Sequence, residues 1–113
     1  MNKYTELSDF EINLAVAHIV LGKGSYDWCP DKKEVYFAGI DGGEFLHHGY
    51  FDPCNNPSDA MPIIIENKIA LVPQLNGDLW ICSHHSFYST TGNLYRAAME
   101  IYLLMKDAEN EKV

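Results

Sequence analysis

Arginine is nearly absent from this chain of 113 residues: Arg96 stands alone. Lys and Arg together number 8 against 16 Asp and Glu, a formal charge of −8. That balance excludes non-specific coating of nucleic acid, which depends on basic side chains neutralising phosphates. No apolar run approaches the ~20 residues that span a bilayer. The opening residues carry no basic-plus-apolar signal pattern, and the expected compartment is the cytosol. Cysteine is sparse and odd in number: Cys29, Cys54 and Cys82. The expectation is reduced thiols. Trp28-Cys29-Pro30 resembles half of a redox motif, but Lys32 stands where the resolving cysteine belongs.

Apolar residues make up 47% and charged residues 21%. This is an ordinary globular balance, and a chain of this length can bury roughly two-thirds of its unfolded surface in one domain. Residues 8–21 read as a helix. Ser8 and Glu11 form a capping box, and Leu7 and Ile12 are placed for a hydrophobic staple. Ile12, Val16, Ile19 and Val20 mark its apolar face, and Gly22 is expected to stop it in a left-handed conformation.

Residues 25–29 and 35–40 read as strands around a Pro30–Lys33 loop, with Asp41-Gly42-Gly43 ending the second. Residues 44–55 have no period. The expectation there is an ordered loop anchored by Phe45, Tyr50 and Phe51. A second helix starts at Asn56, a good N-cap, with Pro57 at the first helical position. Pro62 then predicts a short, kinked or divided helix ending near Asn67.

Residues 69–75 and 78–83 flank Asn76-Gly77, a two-residue hairpin signal, and Pro73 puts its strand at an edge or bulge. Residues 84–92 are His/Ser/Thr-rich and read as loop. A third helix runs from Leu94 to Lys106 behind the N-cap Asn93. Its buried stripe is Leu94, Ala97, Ala98, Ile101 and Leu104 or Met105.

The expected fold is α+β, with three helices around a mainly antiparallel sheet of about four strands. It is a sandwich-like single domain over residues 1–107, with a charged, frayed tail over 108–113.

Three blocks resemble one family. They are Leu7-Ser8-Asp9-Phe10-Glu11-Ile12-Asn13, Phe51–Ala60 continuing to Pro62-Ile63-Ile64, and Arg96-Ala97-Ala98-Met99. Together they are similar to the NinX-like proteins of lambdoid phages, nearly end to end. The departure is Met61, where the family pattern has Trp. The resemblance implies phage origin, the cytosol of an infected bacterium and a layout with helices on both faces of a sheet. It implies no activity.

Metal-ligand types occur in Cys82-Ser83-His84-His85, Cys54 and His47-His48, yet none has a usual zinc spacing. Ser86, His85 and Asp78 match a triad in composition alone, without a nucleophile elbow. No metal, cofactor or catalytic residue is expected.

Asp52 to Asp59 places short polar side chains at a helix N-terminus, where free N–H groups can hold an anion. Capping explains Asn56, Pro57 and Asp59 but not Asn55 or Asp52. Arg96 lies in the first turn of a helix, where the dipole opposes it by about 0.3–1 kcal/mol. Three readings stand: an i, i+4 pair with Glu100, an anionic ligand, or coupling to the acidic central block. Trp80 shares a strand face with Asp78 and Cys82, while Leu79 and Ile81 take the other. That company makes Trp80 the aromatic best placed to stack on a ligand, beside the simpler reading of core burial.

The candidate ligand contacts are therefore Asn55, Asn56, Asp59, Trp80, His85, Asn93 and Arg96. The expected function is non-enzymatic binding of a small anionic or nucleotide-like ligand, such as a host defence signal. The rival is a protein–protein module whose acidic surface steers a basic host or phage protein. Self-association is compatible with either, and a hydrolase acting through His84 or His85 is a third class.

Overall fold

The computed structural model describes residues 3–38, 47–75 and 77–111. Phe45, the Asp41-Gly42-Gly43 stop and Asn76 of the hairpin turn lie outside the described residues. The elements run α1 (Asp9–Val20), β1 (Tyr26–Cys29), β2 (Glu34–Ala38), β3 (His47–Tyr50), α2 (Pro57–Glu66), β4 (Ala70–Pro73), β5 (Trp80–His84), β6 (Phe87–Thr91) and α3 (Leu94–Glu111). The α+β class holds, with three helices and antiparallel pairing throughout. The described strands number six, however, and form two three-stranded sheets ordered β1-β2-β3 and β4-β5-β6. The helices link the sheets: α1 packs on β2, α3 packs on β5 and β6, and α1 and α2 both pack on α3.

Local chemistry explains most boundaries. Ser8 Oγ accepts the Glu11 N–H at 3.2 Å, and Glu11 returns a carboxylate to the Ser8 N–H at 3.1 Å. Asn56 Oδ1 accepts the Ser58 N–H at 3.0 Å to start α2. The β1–β2 turn closes with Lys33 in the left-handed region and Cys29 opposite Glu34. The stop of α1 differs from expectation. Leu21 is extended, its N–H bonds to the Ala17 carbonyl, and the positive φ falls on Gly24, not on Gly22.

Two segments expected as loops are strands. β3 pairs with β2 through an irregular register between Tyr36 and Ala38, and Gly49 within it has φ +112°. The bulge and the glycine erase the alternation that would mark a strand. β6 pairs with β5 from His84↔Phe87 to Trp80↔Thr91, around a His85-Ser86 turn with His85 at φ 54°. Its threonines and aromatics favour strand, although Ser and Thr made it look like loop.

The helix faces also differ. Ile12, Asn13, Val16 and Ala17 are buried in α1, while Ile19 and Val20 are exposed at its far end. α3 has no one-sided stripe. Every residue from Ala97 to Leu103 is buried, because α1, α2, β5 and β6 surround it. It also continues past Lys106 to Glu111.

α2 runs through Pro62, which is exposed and cannot donate to the Ser58 carbonyl. An interior proline costs about 3 kcal/mol through the missing bond and its ring's clash with the preceding turn, and the stiffer unfolded chain returns about 1 kcal/mol. Pro62→Ala is therefore expected to stabilise the domain by about 2 kcal/mol. Urea unfolding checks this, and no gain would mean that α2 already absorbs the proline without strain.

Candidate functional site

The N-termini of all three helices meet at one end of the fold, where short polar side chains join them. Asn93 Oδ1 accepts the N–H groups of Tyr95 and Arg96, both at 3.1 Å, and so caps α3. Its amide donates to Asn55 Oδ1 at 3.3 Å. The Asn55 amide donates to Asp9 in the first turn of α1 at 3.0 Å and to Asp52 at 3.1 Å. Asp52 accepts from Asn13 Nδ2 at 2.8 Å, while its own N–H donates to Asp59 at 2.9 Å. Asn13, only 6% exposed, accepts the Cys54 N–H at 3.1 Å. Asn13 thus ties α1 to the turn that opens α2.

Arg96 is the hub of this junction. Its Nε donates to Glu100 at 2.8 Å and its Nη1 to Asp9 at 2.7 Å. Nη2 donates to the carbonyls of Leu7 at 2.6 Å and Tyr4 at 2.9 Å. The i, i+4 partner is present, and the second acid comes from α1. The guanidinium also holds the segment that leads into α1, which sequence spacing could not reveal.

Beside the junction, α1 and the first sheet enclose an open cleft of about 490 Å³. Asp9, Glu34 and Asp52 line it with Lys33, and Phe10, Tyr50 and Phe51 add rings. Phe51 is buried as expected, whereas Tyr50 is exposed.

Of the seven candidate contacts, Asn55, Asn93 and Arg96 belong to the junction, and Asp59 and Asn56 adjoin it through Asp52 and the α2 cap. Trp80 and His85 lie elsewhere. Trp80 is half-buried on the inner face of β5, the face of buried Cys82. His85 forms the β5–β6 turn, with His84 at 4.4 Å, beside Met105 and Ala108 of α3. Along α3 that is roughly 20 Å from the Asn93 cap. Asp9, Asn13 and Glu34 were not singled out from the sequence. Asn13 had a signal, since it is a polar residue inside the apolar face of α1.

Burial raises the Cys54 thiol well above its ordinary range, and the nearby Asp9 carboxylate adds to the effect. Burial and Glu100 push the Cys82 thiol up to about 11. Both stay protonated at neutral pH. Among the described residues, no three His, Cys, Asp or Glu side chains gather to hold a metal ion.

Burial opposes the charge of Asp9, but hydrogen bonds from Arg96 and Asn55 outweigh it and hold the carboxyl below its usual value. The Ser8 backbone and side chain do the same for Glu11. These folded-state values are lowered, so their contribution is present above the unfolded pKa of ~4 and is lost as pH falls through the folded values. Thermal melts are expected to drop below about pH 4. Asp9→Asn should flatten that dependence, and an unchanged acid limb would remove Asp9 from the account.

A family model described as bacteriophage P22 NinX matches residues 3–106. The chain belongs to the NinX family. No curated protein and no solved structure matches it. The NinX match spans all three helix N-termini and the cleft. No helix in the described part of this NinX protein is long and apolar enough to cross a membrane.

Proposed function

We propose that this NinX protein is a non-catalytic accessory of the infected bacterial cell, and that its cleft receives a basic side chain of a protein partner. The observation that carries this reading is the sign of the lining: Glu34 and Asp52 outnumber Lys33 beside aromatic walls, and Asp9, itself paired with Arg96, adds a third carboxylate. An anionic ligand would need positive charge there. Arg96 instead directs Nε, Nη1 and Nη2 to protein acceptors. The formal charge of −8 extends the same preference beyond the cleft and would steer a basic surface toward it.

Native mass spectrometry of the protein isolated from infected cells tests the reading. The expected result is a retained protein that dissociates in roughly 0.5 M salt, where the Debye length is only a few ångströms. Glu34→Gln, at the half-exposed start of β2, should weaken the complex about tenfold, or about 1.4 kcal/mol. A retained small anion, or a complex indifferent to both salt and Glu34→Gln, would overturn it.

A further inference from the structure

A second cleft, at the far end of α1, carries the opposite sign to the first. It encloses about 460 Å³ between the last turn of α1, the loop after it and the edge strand β1. Tyr26 and Trp28 sit two residues apart on β1 and share the face that meets His18 of α1. Their rings lie 6.1 Å apart and only 27° from parallel, and Trp28 is 39% exposed. His18 closes this ledge edge-on, 5.3 Å from the Trp28 ring and at 87° to it. Its Nδ1 lies 2.5 Å from the Tyr26 hydroxyl. A phenol is a stronger acid than a neutral imidazole N–H, so Tyr26 donates and Nε2 keeps its proton as a donor. A tight turn over Gly22–Ser25 sets Lys23 on the rim. The Ser25 N–H donates to the Gly22 carbonyl at 2.9 Å, and Gly24 takes the positive φ of +91° at the third position. Lys23 has no ion-pair partner among the described residues. No carboxylate of those residues lines the cleft. Asp27, between the two rings in sequence, points to the other face of β1 beside Tyr36.

We infer that this cleft binds a small planar aromatic phosphate of the nucleoside monophosphate class. The ring stacks on the Tyr26–Trp28 ledge, and the phosphate takes its donors from Lys23 and the His18 Nε2–H. Each half of that ligand answers a feature the fold leaves unused. Exposed, near-parallel rings are a stacking surface that accepts any base. Donors without an opposing carboxylate select an anion. Two single-point donors suit the oxygens of a phosphate, whereas a flat carboxylate pairs best with an arginine fork. The volume lies within the ~300–1,000 Å³ of small-molecule sites. Charge also selects the source of the ligand. Each further phosphate of a strand would meet the net −8 with no further cation in the lining, so the ligand is a free mononucleotide and not a nucleic acid end. The same net charge and the C-terminal carbonyls of α1 oppose an anion, so the expected Kd is only about 1 mM. Binding that weak is lost on isolation. A small anion retained in the native mass spectrum therefore bears on the acidic cleft and its protein partner alone.

NMR titration of the full chain tests the inference, because the only indole N–H signals come from Trp28 and Trp80. The signal missing from Trp28→Leu identifies the reporter, and Trp80→Phe identifies the other. Adenosine 5′-monophosphate is expected to shift the Trp28 signal saturably, with a Kd of about 1 mM, and to leave Trp80 in place. Adenosine has the ring without the charge, and ribose 5-phosphate has the charge without the ring. Each should bind about tenfold more weakly. Lys23→Gln should weaken the monophosphate about fivefold and leave adenosine unchanged. Lys23 is exposed on a turn, so an unshifted Trp80 signal should confirm an intact fold in that variant. A Trp28 signal that stays still up to about 20 mM monophosphate overturns the inference. So does a Lys23→Gln variant that binds it like wild type, or a short single strand that binds more tightly than the monomer. Glu34→Gln should titrate like wild type, which separates this site from the acidic cleft.

Discussion

Arg96→Ala is expected to cost about 3–5 kcal/mol, the usual penalty for removing one partner of a buried ion pair. Domains of this size have about 5–15 kcal/mol in total, so the variant should sit near the edge of folding at ambient temperature. The loss comes mainly from what remains. Glu100 is only 5% exposed and would stay buried with no guanidinium beside it. Asp9 is nearly half-exposed and loses less, because water takes over part of its solvation. The carbonyls of Tyr4 and Leu7 lose their shared donor, which frees the segment leading into α1.

Arg96→Lys should recover little, since one ammonium cannot reach two carboxylates and two carbonyls from a single point. Arg96→Met combined with Glu100→Leu should recover much of the loss, because an apolar pair removes the desolvation cost together with the attraction. Urea unfolding with a common slope measures all three. A loss below about 1 kcal/mol for Arg96→Ala would put the ion pair on the scale of a surface bridge and refute the hub.

The rarity of arginine was legible, and so was the tension of a cation at a helix start. Its resolution was not, because Tyr4, Leu7 and Asp9 are about ninety residues away in the chain. Elements whose signals are local followed the sequence closely. The Ser8–Glu11 box, the Asn56-Pro57 start and the Asn93 cap depend on neighbours within three residues. Faces were harder to read, because they depend on what packs where. α3 looked amphipathic, yet it lies inside the fold and buries seven consecutive residues. The alternation of β5 was readable, but Cys82 faces inward and Ile81 outward, so its apolar-looking side is the solvent side. At the site, Asn55 and Asn93 were visible as polar residues around caps, while the acidic cleft needed Glu34 and Asp52 brought together from separate elements.

Asn13→Leu is expected to cost about 3 kcal/mol, although it keeps the volume and adds apolar surface. The Cys54 N–H would remain buried without the amide oxygen that now accepts it, a loss of about 1–3 kcal/mol. Asp52 would lose its 2.8 Å donor, and a hydrogen bond to a charged group is worth about 1.5–3 kcal/mol. Packing gains offset part of that sum. Asn13→Asp separates the two contributions. It restores an acceptor for Cys54 but sets a second carboxylate against Asp52, which raises the folded-state pKa of the pair. A raised carboxyl pKa destabilises the fold at neutral pH and is relieved as pH falls through the raised value. Asn13→Asp should therefore approach wild-type stability on going from pH 7 to about 4.5. Asn13→Leu should stay uniformly weaker over the same range. Equal pH slopes for Asn13→Asp and wild type would show that Asn13 and Asp52 are not coupled. Asp52 also lines the cleft, so a real coupling means that one buried amide in α1 helps set the position of the charge offered to a partner.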